Sequence, residues 1–478
     1  MSMLGSAVGL LLAYGGLRLI LMTNPGNIPR VAEIGIDTRV LLFSVGIAVL
    51  TGVFFGLAPL AQLAARSLND SLKSAAGRAT ATIEANRLRR AMVVLELGLA
   101  LVLLIGTGLM VRAFWKLQAV EVGLRPERVL TMRLALPQPN YPDAKAVRRF
   151  WVDLQQRVRS LPGVESASMM TGMPPMRPLN ANDTQIEGFV RREGGPIQNV
   201  DFYQGVGDRY FETMGIRLID GRLFDERDSD GGPLSVIVNQ TMARTFWPEQ
   251  GALGRRLRPG SQGEWRTVVG VVADVKNAGI DKPTGAELYF PIRQTDGGNR
   301  AGYLMVRTAG DPRSIFGAAR AEVAALDPSL PVASVRTMEE VLESAQARSR
   351  FLTLLLTLFS TVALALAAVG IYGVMAYSVE QRTSEFGVRM AIGAQRGDVL
   401  GMVLRQGILL GLIGAAAGAA GAFGLTRLMR GLLFGVETFD PLTFAVMALL
   451  LVAVTTAACF VPARRATKVD PVIALRYE

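Results

Sequence analysis

The chain contains no histidine and only one cysteine, Cys459. Without histidine there is no Ser-His-Asp triad, no two-histidine zinc motif and no histidine pH sensor. A lone cysteine forms no intrachain disulfide, so a domain outside the cytoplasm must hold itself with an ordinary core. Cys459 sits inside an apolar run, which suits helix packing or a lipid-facing position. There is no GxxxxGK phosphate loop followed by Ser or Thr, so ATP is not bound by that route, and no G-x-S-x-G elbow. No motif supports an enzyme. Asp225, Glu226, Asp228 and Asp230 crowd a Gly-rich turn but lack the calcium-loop spacing. A solvated loop is the plain reading there, a metal site the alternative. Arg255, Arg256 and Arg258 read as a solvated strand edge, with an anionic ligand or lipid headgroup as the alternative.

What is abundant is apolar sequence. Half of the 478 residues are hydrophobic, and the mean hydropathy is +0.31. The excess falls in discrete blocks, the mark of a membrane protein with one sizeable polar domain. A net charge of +11 raises nucleic acid as a partner. Yet the segment 113–350 is nearly balanced, and the surplus Lys and Arg lie in short loops and tails beside the apolar blocks. Membrane topology accounts for that pattern, so no nucleic-acid partner is expected.

Six runs of roughly 20 residues, each enough for a hydrocarbon core of about 30 Å, are predicted as spans. They are Ser2–Met22, Val40–Leu63, Ala91–Val111, Phe351–Tyr377, Val399–Gly424 and Thr443–Val461. The first has no cleavable-signal pattern. Residues 1–63 hold two spans, 64–90 form a basic cytoplasmic linker, and 91–112 hold the third span. Residues 113–350 form the polar domain, 351–463 carry the last three spans, and 464–478 are a basic tail. Both termini fall on the cytoplasmic side and the polar domain on the other.

Residues 1–73 match 404–476 without a gap: Asp37 pairs with Asp440, Pro59 with Pro462, Gly15 with Gly418 and Leu72-Lys73 with Leu475-Arg476. Duplicated membrane units of this kind build many transporters, while the plain reading is that two apolar hairpins look alike. A true repeat implies that the chain begins inside its first copy, as a fragment or late-start product of a two-copy protein.

The polar domain is predicted as α+β with two sub-lobes. Val129–Leu136, Val164–Met170, Thr184–Phe189, Val200–Gln204, Ser235–Asn239, Trp265–Val275, Glu287–Phe290 and Tyr303–Arg307 read as strands. Ala144–Leu161, Arg209–Met214, Pro312–Leu326 and Met338–Arg348 read as helices, as does a run ending near Trp247-Pro248. Val147, Phe150, Trp151, Leu154, Val158 and Leu161 recur at three- and four-residue spacing on one face.

The organising stretch is Val379–Gln406, a short connector of mixed charge between two apolar runs. Phe386, Met390 and Ile392 give it a small apolar face, suited to a groove on a cytoplasmic partner. Glu96 lies a few residues into the third span, about 7 Å past Ala91 at 1.5 Å per residue. Pairing with Arg405 or with a basic residue of the preceding stretch is the structural reading, transport or gating the functional one, and Arg405 and Gln406 in the fifth span are read likewise. No span carries the chain of buried acids expected of a proton-coupled carrier. Phe114-Trp115 and Arg348–Arg350 join the spans to the polar domain as a stalk or a simple tether.

Three segments carry a family resemblance: 378–407 (SVEQRTSEFGVRMAIGAQRGDVLGMVLRQG), 470–478 (DPVIALRYE) and 87–114 (RLRRAMVVLELGLALVLLIGTGLMVRAF). Through them nearly the whole chain resembles the MacB/FtsX-like permeases of ABC transporters, in the duplicated "orphan permease" form with an incomplete first copy. The resemblance implies a multi-span α-helical protein of the bacterial inner membrane with a periplasmic MacB-like core domain. It implies a separate cytoplasmic ABC ATPase subunit that carries ATP and Mg, docked on 379–398. The docking residues it marks are Glu385, Phe386, Gly387, Val388, Arg389, Met390, Ala391, Ile392, Gly393 and Ala394. ATP-driven closure would then move the periplasmic domain, for efflux, export or lipoprotein handling. A periplasmic adaptor or substrate protein and a second permease chain are the further partners implied. An FtsX-type scaffold regulating a partner such as a cell-wall hydrolase is the alternative, and a transport-inactive remnant the third.

Overall fold

The computed structural model describes residues 37–64, 76–179, 182–191, 193–295 and 300–467, with scattered positions in 5–18. Its helices, in chain order, are α1 (Thr38–Ala64), α2 (Ala76–Gln118), α3 (Ala144–Arg159), α4 (Tyr210–Met214) and α5 (Gln240–Phe246). They continue with α6 (Phe316–Leu326), α7 (Met338–Gln381), α8 (Thr383–Ala391), α9 (Arg396–Leu425) and α10 (Pro441–Ala466). The chain divides into two compact units, one ending at Gln118 and resuming at Ala347, the other covering Ala119–Gln346.

Among the described residues four helices are long and apolar enough to cross a membrane: α2 from Arg87, α7, α9 and α10. The six-span expectation is thus met by four. The predicted first span lies largely outside the described residues, and the second falls on α1, whose side chains are described only in part. The predicted linker 64–90 is helical from Ala76 onward. That stretch is rich in Ala and Arg and free of proline, so nothing in it stops a helix. The predicted helix at Met338 and the predicted span at Phe351 likewise merge into one 44-residue helix.

The helix starts show why the chain turns where it does. The Asp440 carboxylate accepts from Thr443 N at 3.2 Å, with Pro441 in the first turn. The Asp37 carboxylate accepts from Val40 N at 2.8 Å. Each cap satisfies one orphan amide of a helix terminus. The two caps occupy the positions paired by the sequence match.

Inside the membrane-type unit, α2 buries Leu97, Leu101, Ile105 and Leu109, one per turn. Leu97 and Leu101 face Gly414 and Gly418 of α9, while Gly411 packs against Thr455 of α10. A Cβ on Gly418 would stand 2.6 Å from the Gly98 carbonyl oxygen, so only glycine permits this crossing. Helix α10 adds Leu451, Cys459 and Ala463, and Cys459 is fully buried. From α7, Ala367, Ile371, Met375 and Val379 turn inward, while Leu354, Leu358, Phe359, Val362 and Leu366 remain exposed. Such an outward apolar surface suits hydrocarbon, where leucine gains nothing by being buried.

The second unit is built on a mixed sheet. Its strands are β1 (Val129–Ala135), β2 (Val164–Met170), β3 (Asn182–Ile186), β4 (Asn199–Val200), β5 (Phe202–Val206) and β6 (Leu218–Gly221). The rest are β7 (Ser235–Asn239), β8 (Arg256–Pro259), β9 (Arg266–Val272), β10 (Glu287–Pro291), β11 (Ala301–Thr308) and β12 (Ala333–Thr337). Their order is β12-β1-β11-β2-β5-β10-β7-β9-β8-β3-β4, with β6 on β9. Among the described strands only β5–β10 and β7–β9 pair in parallel. One continuous strand path therefore replaces two separate sub-lobes, and the lobes survive as separate cores along it. Leu130, Met132 and Leu134 meet Trp151, Leu154 and Val158 of α3 on one face. Val129, Met305, Tyr289, Tyr210 and Phe211 fill the other. Val236, Val238, Met242 and Leu257 form a third core beside α5. Helix α3 is set in register by Asp143, which accepts from Ala146 N at 2.8 Å.

Candidate functional site: the connector between α7 and α9

The connector is a structured turn rather than a loop. After Gln381 the chain re-enters a helix, α8, nine residues long. Glu385 and Arg389, one turn apart, pair at 2.7 Å across its outer face. The helix ends in a Schellman arrangement: Ala394 N donates to Arg389 O at 3.0 Å and Gly393 N to Met390 O at 3.2 Å. Gly393 sits at φ +110°, a conformation that L side chains rarely adopt. A reciprocal cap then starts α9: Gln395 N donates to Asp398 Oδ2 at 2.9 Å. The Schellman end of α8, the Gly393 turn and the cap that starts α9 fix the C-terminal side of α8, while its N-terminus has no side-chain cap.

The ten residues of the predicted docking segment divide into two sets. Phe386 is 2% exposed, Gly387 is buried, and Met390 is half-buried. Phe386 and Met390 join the core that also holds Val379, Val399 and Val403. Glu385, Val388, Arg389, Ala391, Ile392 and Gly393 are exposed, Ile392 at 82%, and Ala394 is half-buried. The single apolar face expected of Phe386, Met390 and Ile392 is thus split. Phe386 anchors the connector from inside, and Val388 and Ile392 are the apolar groups it presents outward. Which face of so short a helix turns inward depends on how the chain on either side holds it, which spacing alone does not state.

The expected pair of Glu96 with Arg405 is not formed. A Glu96 carboxylate oxygen instead occupies the space that a side chain at Gly370 would need. Arg405 is exposed and Gln406 half-buried, and neither has an ion pair among the described residues. A contact that sequence reasoning missed lies beside the connector. The Arg89 guanidinium stacks 4.2 Å from the Tyr377 ring centre, and Gln381 donates to the Tyr377 hydroxyl at 2.6 Å. The only hint was a tyrosine near the end of one apolar run and arginines just before another.

The charged clusters of the sheet unit are occupied locally. Arg222 holds Asp228 with two bonds of 2.7 and 3.0 Å. Burial pushes the Asp228 carboxyl up, but the Arg222 bonds win and hold it below the ordinary carboxylate range. Asp225 pairs with Arg227 at 2.6 Å, and Asp230 with Arg148 at 3.0 Å. Arg256 pairs with Glu187, and Arg258 bonds Gln185 and stacks on Trp265 at 4.9 Å. Among the described residues no three His, Cys, Asp or Glu side chains are grouped to hold a metal.

Residues 91–326 match the model of the MacB-like periplasmic core domain, and residues 357–471 that of the FtsX-like permease C-terminal domain. The chain belongs to the MacB/FtsX-like permease family. Among curated relatives of that family is the macrolide export ATP-binding/permease protein MacB of Chromobacterium violaceum. It is 29% identical over 282 residues, covering 57% of this chain and 43% of the relative. The probable syringafactin export ATP-binding/permease protein SyfD of Pseudomonas syringae pv. tomato is 28% identical over 301 residues, covering 58% and 43%. The chain thus spans less than half the length of these relatives. Against the periplasmic region of MacB from Actinobacillus actinomycetemcomitans the TM-score is 0.33 at 16% identity, covering 48% of this chain and 97% of that structure.

Proposed function

We propose that this chain is the membrane permease subunit of an ABC-type exporter. Nucleotide turnover on a separate ATPase subunit, which carries ATP and Mg, is coupled to movement of the MacB-like domain. The connector carries this reading. Its helix α8 is anchored by Phe386, closed at its C-terminal end by the Gly393 turn, and presents Val388 and Ile392 outward. An apolar pair of this kind on a short helix fits a hydrophobic groove on a partner. Helix α7 supports the coupling, because it runs unbroken from Met338 to Gln381, about 66 Å at 1.5 Å per residue. A continuous rod of that length exceeds a hydrocarbon core of about 30 Å and is suited to carry motion past it. In this reading the connector and both termini are cytoplasmic, the sheet unit is periplasmic, and the membrane is the bacterial inner membrane. A periplasmic adaptor or substrate protein and a second permease chain are the further partners.

The test is co-purification of an ABC ATPase subunit with the full chain. Ile392→Asp is expected to cut ATPase retention by about tenfold or more, with the melting temperature of the chain unchanged. Phe386→Ala is expected to lower that melting temperature, since it empties a core position. Retention of the ATPase by Ile392→Asp at the wild-type level, or no ATPase retained by the wild type, sinks the reading.

A further inference from the structure

The sheet unit carries an open cleft that neither the connector nor the coupling uses. It encloses about 630 Å³ and is lined by Thr131, Met173, Met176, Leu179, Tyr303 and Arg336 among others. That volume lies in the usual range for small-molecule sites, about 300–1,000 Å³. One wall is the loop 172–179, which is fastened in place. Gln204 donates to the Gly172 carbonyl at 2.7 Å, and Arg177 N donates to Asn277 O at 2.9 Å. The Arg177 guanidinium reaches inward, donating to the Tyr203 carbonyl and facing Glu287 Oε1 at 3.7 Å. Although so pinned, the loop leaves Met176 54% and Leu179 62% exposed. Apolar side chains held outward on a fastened loop are the pattern of a contact surface.

The opposite wall is the edge strand β12. Arg336 stands across from Thr131 and Ala333 across from Arg133, so β12 carries one extra residue there. Ser334, within this bulge, has φ +48°, which is uncommon for a residue with a side chain. Bulges break the alternation of a strand and re-aim the side chains beside them. Here the cleft gains the exposed guanidinium of Arg336, which has no ion pair or hydrogen bond among the described residues. Arg133, two residues along β1 from Thr131 and across from Tyr303, continues the same face and is likewise unpaired among them. Arg148, Arg222, Arg256, Arg293 and Arg313 of this unit all hold carboxylates. Among the described residues no carboxylate lines the cleft. Free guanidinium groups beside an apolar floor without acids favour an anion carrying an aliphatic body.

We propose that this cleft binds a single-chain aliphatic carboxylate, its chain on Met173, Met176, Leu179 and Tyr303 and its head group on Arg336. Flexible methionine side chains suit a chain of variable shape. The proposal concerns binding to the sheet unit alone and stands or falls apart from the ATPase coupling.

The full chain, in phosphatidylcholine nanodiscs, is irradiated with a diazirine-bearing dodecanoic acid and the label is mapped on its peptides. Label should concentrate on the peptides holding Met173–Leu179 and Tyr303 and be displaced by unlabelled dodecanoate. Arg336→Gln combined with Arg133→Gln should cut it about tenfold, the weight of one charge-assisted contact. Leu179→Asp, a change at an exposed position, should do the same from the apolar side, and the methyl ester of the probe should label the cleft weakly. Equal labelling by acid and ester overturns the proposal. So does a cleft signal no higher than that on the rest of the sheet unit, or one unchanged in both variants at wild-type melting temperature.

Discussion

The two units of this chain solve the packing problem with opposite residues. Where α2 crosses α9 the contact is made by Gly98, Gly414 and Gly418, with leucines filling the space beside them. In the sheet unit the most deeply buried side chains are large: Trp151, Tyr210, Tyr289, Phe202 and Phe211. In water, removing apolar area from solvent stabilises by about 25 cal/mol per Å², so large side chains go inside. In hydrocarbon that gain vanishes and close backbone approach replaces it, so glycines sit at the helix crossing while many leucines can face out. Buried polar groups differ too. The sheet unit encloses Glu287, which accepts from Asn277 at 2.7 Å and from the Tyr289 hydroxyl at 2.6 Å. The Glu96 carboxylate, in the membrane-type unit, lies against Gly370.

Substitutions that exchange the two logics should break this contrast most sharply. The largest effect is expected for Gly418→Leu, whose side chain would meet the Gly98 backbone, an obstacle that cannot rotate away. A loss of about 3 kcal/mol or more is expected from such overpacking, read as a lowered melting temperature in detergent. A comparable but pH-dependent effect is expected at Glu287. Burial pushes its carboxyl up to about 7, against the Tyr289 and Asn277 hydrogen bonds and the Arg177 charge. The folded chain therefore keeps a proton that the unfolded chain releases near the ordinary value of 4.5. The stability this group contributes is full below about 4.5 and is lost as pH rises through about 7, a change of about 3 kcal/mol. Glu287→Gln should flatten that slope, and equal slopes for the two proteins in chemical denaturation would rule the assignment out. The smallest effect is expected at the start of α10. Asp440→Ala removes the cap on Thr443 and the partner of Arg112, at a cost of about 1 kcal/mol by melting temperature.

Legibility followed pattern. Strands β1, β2, β7 and β10 and helix α3 were readable because a buried face imposes a period on the sequence. Strands β6 and β12 were missed, because their residues are mostly exposed and show no alternation. The long helices were underread at both α2 and α7, since apolar content marks only the part that suits a membrane and not the polar turns that extend it. The connector was located correctly between its two apolar runs. How its apolar residues divide between inside and outside was not legible, because Phe386 and Ile392 look alike in a sequence and differ in burial in the fold.

Apolar blocks and charge bias determined by themselves that this chain is a membrane-type protein with one sizeable polar domain. Those properties are sums over residues, and hydropathy and charge add without regard to contacts. The tertiary structure alone decided which connector residue is anchor and which is surface, and that Glu96 faces Gly370 rather than Arg405. It also decided that a bulge at Ser334 leaves Arg336 free at the rim of a cleft. These depend on helix caps, strand register and close approach between segments far apart in the chain, and no local pattern encodes such distances.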